Sequence, residues 1–174
     1  MFSSKGKGLP IIITVFMIVV IIYLFATVEQ PLVVCEKRNV NDLDIIVSEK
    51  LETTLDGKEI RKMVLVKSII LPDKYLVDSS ELSSIMFALE KSYQYLGEDK
   101  VTITKGKDRV TVRVEVEDDE TLILNNIEFF DNDGLQMRIN SNTRSSEVLT
   151  LRVKDDYTEG EFMTRLKNNG YSCK

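Results

Sequence analysis

Histidine is absent from all 174 residues. That removes Ser-His-Asp and Cys-His nucleophilic catalysis together with the commonest transition-metal ligand. Cysteine is scarce as well, with only Cys35 and Cys173. Two thiolates without a histidine fall short of the usual zinc set, and their wide separation is not the C-x-x-C spacing of a catalytic thiol pair. The glycines stand singly, so there is no Gly-rich phosphate loop. The acidic stretch "DNDG" fails as a calcium loop, because Asp131 and Asp133 lack a third ligand before Gly134 and no Glu follows at the required position. "EDDET", residues 117–121, and Asp155-Asp156 read as solvated turn formers, the latter placed favourably before a helix N-terminus. No catalytic residue, cofactor or metal site is assigned.

What is present divides the chain in two. Residues 9–28, "LPIIITVFMIVVIIYLFATV", contain no charged residue. At 1.5 Å per residue such a helix spans about 30 Å, the thickness of the hydrocarbon core. Pro10 falls in the first turn, where a helix tolerates it. The run exceeds the roughly 7–15 apolar residues of a cleaved signal peptide and is not followed by a small-x-small site. It reads as a retained single-pass transmembrane helix, a signal anchor. Basic residues tie across it, Lys5 and Lys7 before and Lys37 and Arg38 after. The short tail, residues 1–8, suits the cytoplasmic side of the cell membrane and leaves the rest extracytoplasmic. Of the net charge of −5, the part beyond the span is the more negative, which argues against nucleic acid and anionic lipid headgroups as partners. No small-xxx-small spacing in the span supports helix dimerisation.

Beyond the span, residues 29–43 read as a juxtamembrane segment and first strand, and residues 44–174 as one α+β domain with a mainly antiparallel sheet and two helices. Asp56-Gly57, between two long extended runs, predicts a hairpin with a type I′ turn. Ile45, Val47, Leu51 and Leu55 share one face of its first strand. Hydrophobic residues alternate on both faces of its second, Met63, Leu65 and Ile69 against Val64, Val66 and Ile70. Leu82, Ile85, Met86, Leu89, Tyr93 and Leu96 follow one helical face. Asp78 with Glu81, or Ser79 or Ser80 alone, suits its start and Gly97 its stop. A hairpin about Gly106 leads into Val110, Val112, Val114 and Val116, all facing one way. "TLILNNIEFF" and "LQMRIN" are expected to pair across "DNDG", with "EVLTLRV" as a further strand. Thr158 and Glu161 form a capping box for a last helix carrying Phe162, Met163 and Leu166, ended by Asn169-Gly170. Tyr93 reads as core, and one of Phe129 and Phe130 as exposed.

Two cysteines that bracket a whole domain, with none inside, suggest a disulfide between its first and last elements. The competing reading is a pair of unrelated thiols in a cytoplasmic protein. "VVCEK" after an anchor and the terminal "GYSCK" resemble small exported or lipoprotein-like proteins of Gram-positive-type bacteria. Those look like anchored α+β domains with a Cys near each end. The resemblance supports Cys35 and Cys173 as partners and implies no activity. It departs at Val34, where lipid attachment to Cys35 would want a small residue. Three functions follow: a non-catalytic, membrane-anchored domain that binds another protein; a module gripping a small molecule or lipid between helix 82–96 and the sheet; and a carboxylate-dependent hydrolase.

Overall fold

The computed structural model describes residues 32–77, 80–132, 134–140 and 148–174. The anchor and tail expected before residue 32 lie outside the described residues, as do Asp78, Ser79 and Asp133. No described helix is long and apolar enough to cross a membrane. The described residues form an α+β structure.

Three long strands build its centre: β1 (Leu32–Val40), β2 (Ile46–Asp56) and β3 (Glu59–Ile70). Helix α1 (Ser80–Tyr93) follows, then the hairpin of β4 (Val101–Lys105) and β5 (Arg109–Glu117). Two ribbons come next, from β6 (Thr121–Leu124), β7 (Asn126–Asp131), β8 (Leu135–Asn140) and β9 (Leu149–Arg152). Helix α2 (Glu159–Asn168) and the short β10 (Ser172–Cys173) end the chain. The main sheet has six strands in the order β10-β1-β2-β3-β5-β4, every neighbour antiparallel. The first strand, grouped above with the juxtamembrane segment, is thus an interior strand of the domain, with Val33 and Cys35 buried.

Period-two alternation decides the core. Cys35, Leu51, Leu65 and Val114 lie in one register row across β1, β2, β3 and β5, each fully buried. Leu82, Ile85, Leu89 and Tyr93 of α1, Phe162 and Leu166 of α2, and Leu122 and Leu151 of the β6–β9 ribbon join the same core. The opposite face of the sheet carries exposed ion pairs such as Lys50–Glu52 at 2.7 Å and Arg113–Glu115 at 3.0 Å, each worth little. On that face of β3, Val64 is buried and Val66 and Ile70 are half-buried.

The β2–β3 turn forms one residue later than the Asp-Gly signal suggests. Asp56 pairs with Glu59, leaving Gly57 and Lys58 as turn residues. Only Gly57 has positive φ, +64°, which fits a II′ turn with glycine first and not the expected I′. Arg61 is the extra residue of a bulge beside Leu55, and its guanidinium reaches Asp56 at 2.9 Å and Glu59 at 3.3 Å.

The expected pairing of "TLILNNIEFF" with "LQMRIN" holds only for its second half. β7 pairs with β8, but β6 pairs with β9. The break is Asn125, 4% exposed, whose side chain donates to Ser92 Oγ at 2.6 Å and whose carbonyl accepts from Lys67 at 2.9 Å. A residue tied to two other elements cannot also continue one ladder, and the chain changes ribbons there.

At α2 the capping box is complete: Glu161 N–H donates to Thr158 Oγ1 and Thr158 N–H to the Glu161 carboxylate. We expect Thr158→Ala to lower unfolding free energy by about 1 kcal/mol. Urea denaturation measures it, and no change would show that Phe162 and Leu166 alone hold this helix.

Candidate functional site

The same alternation that fills the core carries two charges into it. Glu49 follows Val47 and precedes Leu51 on the inward side of β2; Lys67 lies between Leu65 and Ile69 on that of β3. The register sets them opposite each other, with Lys37 of β1 on the far side of Glu49. Lys67 Nζ lies 2.8 Å from Glu49 Oε1, with side-chain exposures of 0% and 9%. Lys67 also donates to the Asn125 carbonyl at 2.9 Å, and the Tyr171 hydroxyl donates to the other Glu49 oxygen. Lys37 stands over the Tyr171 ring, 5.6 Å from its centroid. The Tyr93 hydroxyl and Asn125 Oδ1 are buried beside this cluster without hydrogen-bond partners among the described residues.

Burial alone would neutralise these groups, and their neighbours reverse its effect. For Glu49, burial pushes the carboxyl up, but Lys67, Tyr171 and Lys37 together hold it below its ordinary range. For Lys67, burial pulls the ammonium down, but the Glu49 carboxylate 2.8 Å away holds it above its ordinary value. Burial and the adjacent Glu49 push the Tyr171 phenol up. The pair is thus ionised at neutral pH, and Tyr171 serves as a fixed donor. Lys67 has no solvent exposure and stays protonated, so it offers no nucleophile.

Glu49 is also the floor of a cleft of about 370 Å³. One wall is the end of the β1–β2 hairpin, with Lys37, Asn39 and Val47; the other is β7. Residues 126–130 all line it. Successive side chains of a strand point to opposite faces, so a run of consecutive lining residues means that β7 presents its edge. Among the described residues β7 pairs with β8 alone. The hairpin is tied down by Tyr75, whose hydroxyl donates to Asp131 Oδ2 at 2.6 Å. That bond and its burial raise the phenol to about 12. Phe129 is half-buried, while Phe130 is 37% exposed with the Arg138 guanidinium 5.2 Å from its ring centroid.

The residues singled out from the sequence fall in various places. Cys35 and Cys173 are bonded to each other, directly opposite across β1 and β10. The acids of 117–121 serve a turn: Asp118 has φ +58°, Lys100 lies 3.3 Å from Glu117 and 3.6 Å from Glu120, and Lys154 lies 3.0 Å from Asp119. No group of His, Cys, Asp and Glu among the described residues is arranged to hold a metal ion. Tyr93 is core, and the exposed Tyr95 accepts the Ile123 amide at 3.1 Å. The seam between α1 and the sheet is filled by Leu82, Ile85, Leu89 and Tyr93, each at most 3% exposed. The Glu49–Lys67–Tyr171 cluster was missed, although its signal was readable: a lysine in phase with Met63, Leu65 and Ile69, and a glutamate in phase with Ile45, Val47 and Leu51. No family model, curated protein or solved structure matches this chain.

Proposed function

We propose that this chain is a single-pass membrane protein whose disulfide-clasped α+β domain binds another protein outside the cytoplasm, without catalysis. Residues 9–28 are the anchor and residues 1–8 the cytoplasmic tail. The bond between Cys35 and Cys173 supports the compartment, since such bonds persist where glutathione does not reduce them.

One observation carries the binding reading: β7 lines the cleft by its edge and is joined there by no other strand of the described residues. An extended segment of a partner would add to β7 as a strand, with main-chain bonds for affinity and side-chain pockets for selectivity. Lys37 and Asn39 line the opposite wall, and the ion pair of Glu49 keeps the floor rigid. Phe130, exposed at the end of β7, is the aromatic anchor such interfaces favour.

A photocrosslinking residue at position 128 of the full chain, activated in native membranes, should capture one reproducible partner. Phe130→Ala should weaken that capture by about 10-fold or more, the range of an aromatic hot spot. Absence of a reproducible adduct, or capture indifferent to Phe130, would remove this reading.

A further inference from the structure

The other end of the main sheet carries a second free edge. β4 is its outermost strand on the side away from the disulfide, and no described strand pairs beyond it. One hydrogen bond fixes which of its groups face outward. The Gly106 amide donates to the Arg109 carbonyl at 2.7 Å, making those residues a hydrogen-bonded pair, and such pairs alternate along an antiparallel ladder. Thr104 with Thr111 and Thr102 with Arg113 are therefore bonded to β5. The N–H and C=O groups of Val101, Ile103 and Lys105 point away from the sheet.

That outward set is its own complement. Place a second copy antiparallel, with a two-fold axis at Ile103. Ile103 then meets Ile103 of the second copy, and Val101 meets its Lys105. Every outward residue faces an outward residue, giving about six main-chain hydrogen bonds at two per bonded pair. Any shift of one residue would oppose outward groups to inward ones.

The side chains agree with the backbone. Val101 and Ile103 lie half-buried on the α1 side of the strand, and Phe87 of α1, 56% exposed, lines a groove with them. On the other side Thr102 comes opposite Thr104 of the second copy, a favourable cross-strand pairing. Lys107 stands beyond one end of the strand and Glu98 and Asp99 beyond the other, while Lys105, the last residue of β4, donates to Ser83 Oγ at 2.9 Å. The two-fold axis therefore brings the basic end of each copy to the acidic end of the other. No proline or bulge blunts this edge, two of the protections against such pairing, and its one lysine, Lys105, is drawn to Ser83 of α1. β10, at the opposite edge, has only two residues.

We propose that two copies of this chain associate by joining their β4 edges into one continuous antiparallel sheet. The contact is isologous and closed. It uses a surface separate from the β7 cleft, so either can fail without the other.

The test uses the full chain in detergent. Thr102→Cys and Thr104→Cys variants carrying different affinity tags are mixed and mildly oxidised. The register puts Cα 102 and Cα 104 of opposite copies about 4.5 Å apart in a non-hydrogen-bonded pair, whereas like positions lie about 7–8 Å apart on the diagonal. Mixed-tag disulfide dimer should exceed the dimer from either variant alone by about 10-fold, a factor set by reach. Ile103→Pro removes an amide that donates to nothing within the ladder, a position where an edge strand accepts proline. It should leave the fold intact by circular dichroism and abolish the dimer. Ile103→Lys, which keeps the amide and opposes two charges, does the same should proline unfold the strand. Equal cross-linking in mixed and single samples would overturn the proposal. So would a single-chain mass for the wild type throughout the micromolar range, a dimer surviving in folded Ile103→Lys, or cross-linking of position 102 in native membranes to a different protein.

Discussion

Lys67→Met should destabilise the domain by about 3–5 kcal/mol, the cost of leaving a buried charge without its partner. Glu49 would keep the Tyr171 hydroxyl but lose the ammonium at 2.8 Å, and the Asn125 carbonyl would lose its donor. The dependence on pH identifies the cause. In the wild type the Glu49 carboxyl is held below its ordinary value of 4.5. Its contribution to stability is therefore present above that pH and is lost as the pH falls through the folded value. In Lys67→Met, burial is no longer opposed by Lys67, and the carboxyl moves upward. Protonation then favours the folded variant, so the gap between variant and wild type should narrow from pH 7 to pH 4. Urea denaturation at both pH values measures it, and a constant gap would mean that Glu49 is not ionised in the native protein. The triple variant Glu49→Leu/Lys67→Met/Tyr171→Phe removes both charges and the hydroxyl that served them. It should recover most of the loss, because a packed apolar replacement of a buried pair is often neutral or better. If it does, the cluster serves position and not stability: it fixes the β1–β2–β3 register beneath the β7 cleft.

Much of this architecture is legible in the sequence alone. Helix α1, the strand of Val110 to Val116, the hairpin about Gly106 and the Thr158–Glu161 box are each written in local periodicity or local hydrogen-bonding chemistry, and each formed where expected. What was not legible depends on partners distant in the chain. The pairing of Glu49 with Lys67 is one case: each charge is visible in phase with a core face, but it reads as a fault in the pattern until the opposite strand supplies its counter-charge. Asn125 ended one ribbon and began another because Lys67 and Ser92, far away in sequence, claim its carbonyl and side chain. The turn at Gly57 formed one residue late because Asp56 pairs with Glu59, and a bulge at Arg61 then resets the register beyond it. The β7 cleft was not foreseen for a related reason: a free strand edge is a property of sheet order, and sheet order is a long-range fact.

Opening the bond between Cys35 and Cys173 should lower stability by about 2–5 kcal/mol. The two residues are 138 apart in sequence, and in the chain-entropy picture a loop of that length restricts the unfolded state by about 5 kcal/mol. The bond also acts locally. β10 has two residues, held otherwise by Val34 and Lys174, which exchange main-chain bonds of 3.3 and 2.9 Å. Without the clasp this short strand should fray first, and Tyr171, two residues before Cys173, would lose its hold on Glu49. Cys35→Ser/Cys173→Ser should therefore cost more than chain entropy alone. Its amide exchange should rise first at residues 171–174, and Lys67→Met should cost less in that background than in the wild type, because residues that share one network do not add. Additive losses would separate the clasp from the cluster. Compartment is tested on the same atoms: in protein taken from its native membrane, both thiols should resist alkylation until reduced. Free labelling of both would withdraw the extracytoplasmic placement and, with it, the search for a partner on that side of the membrane.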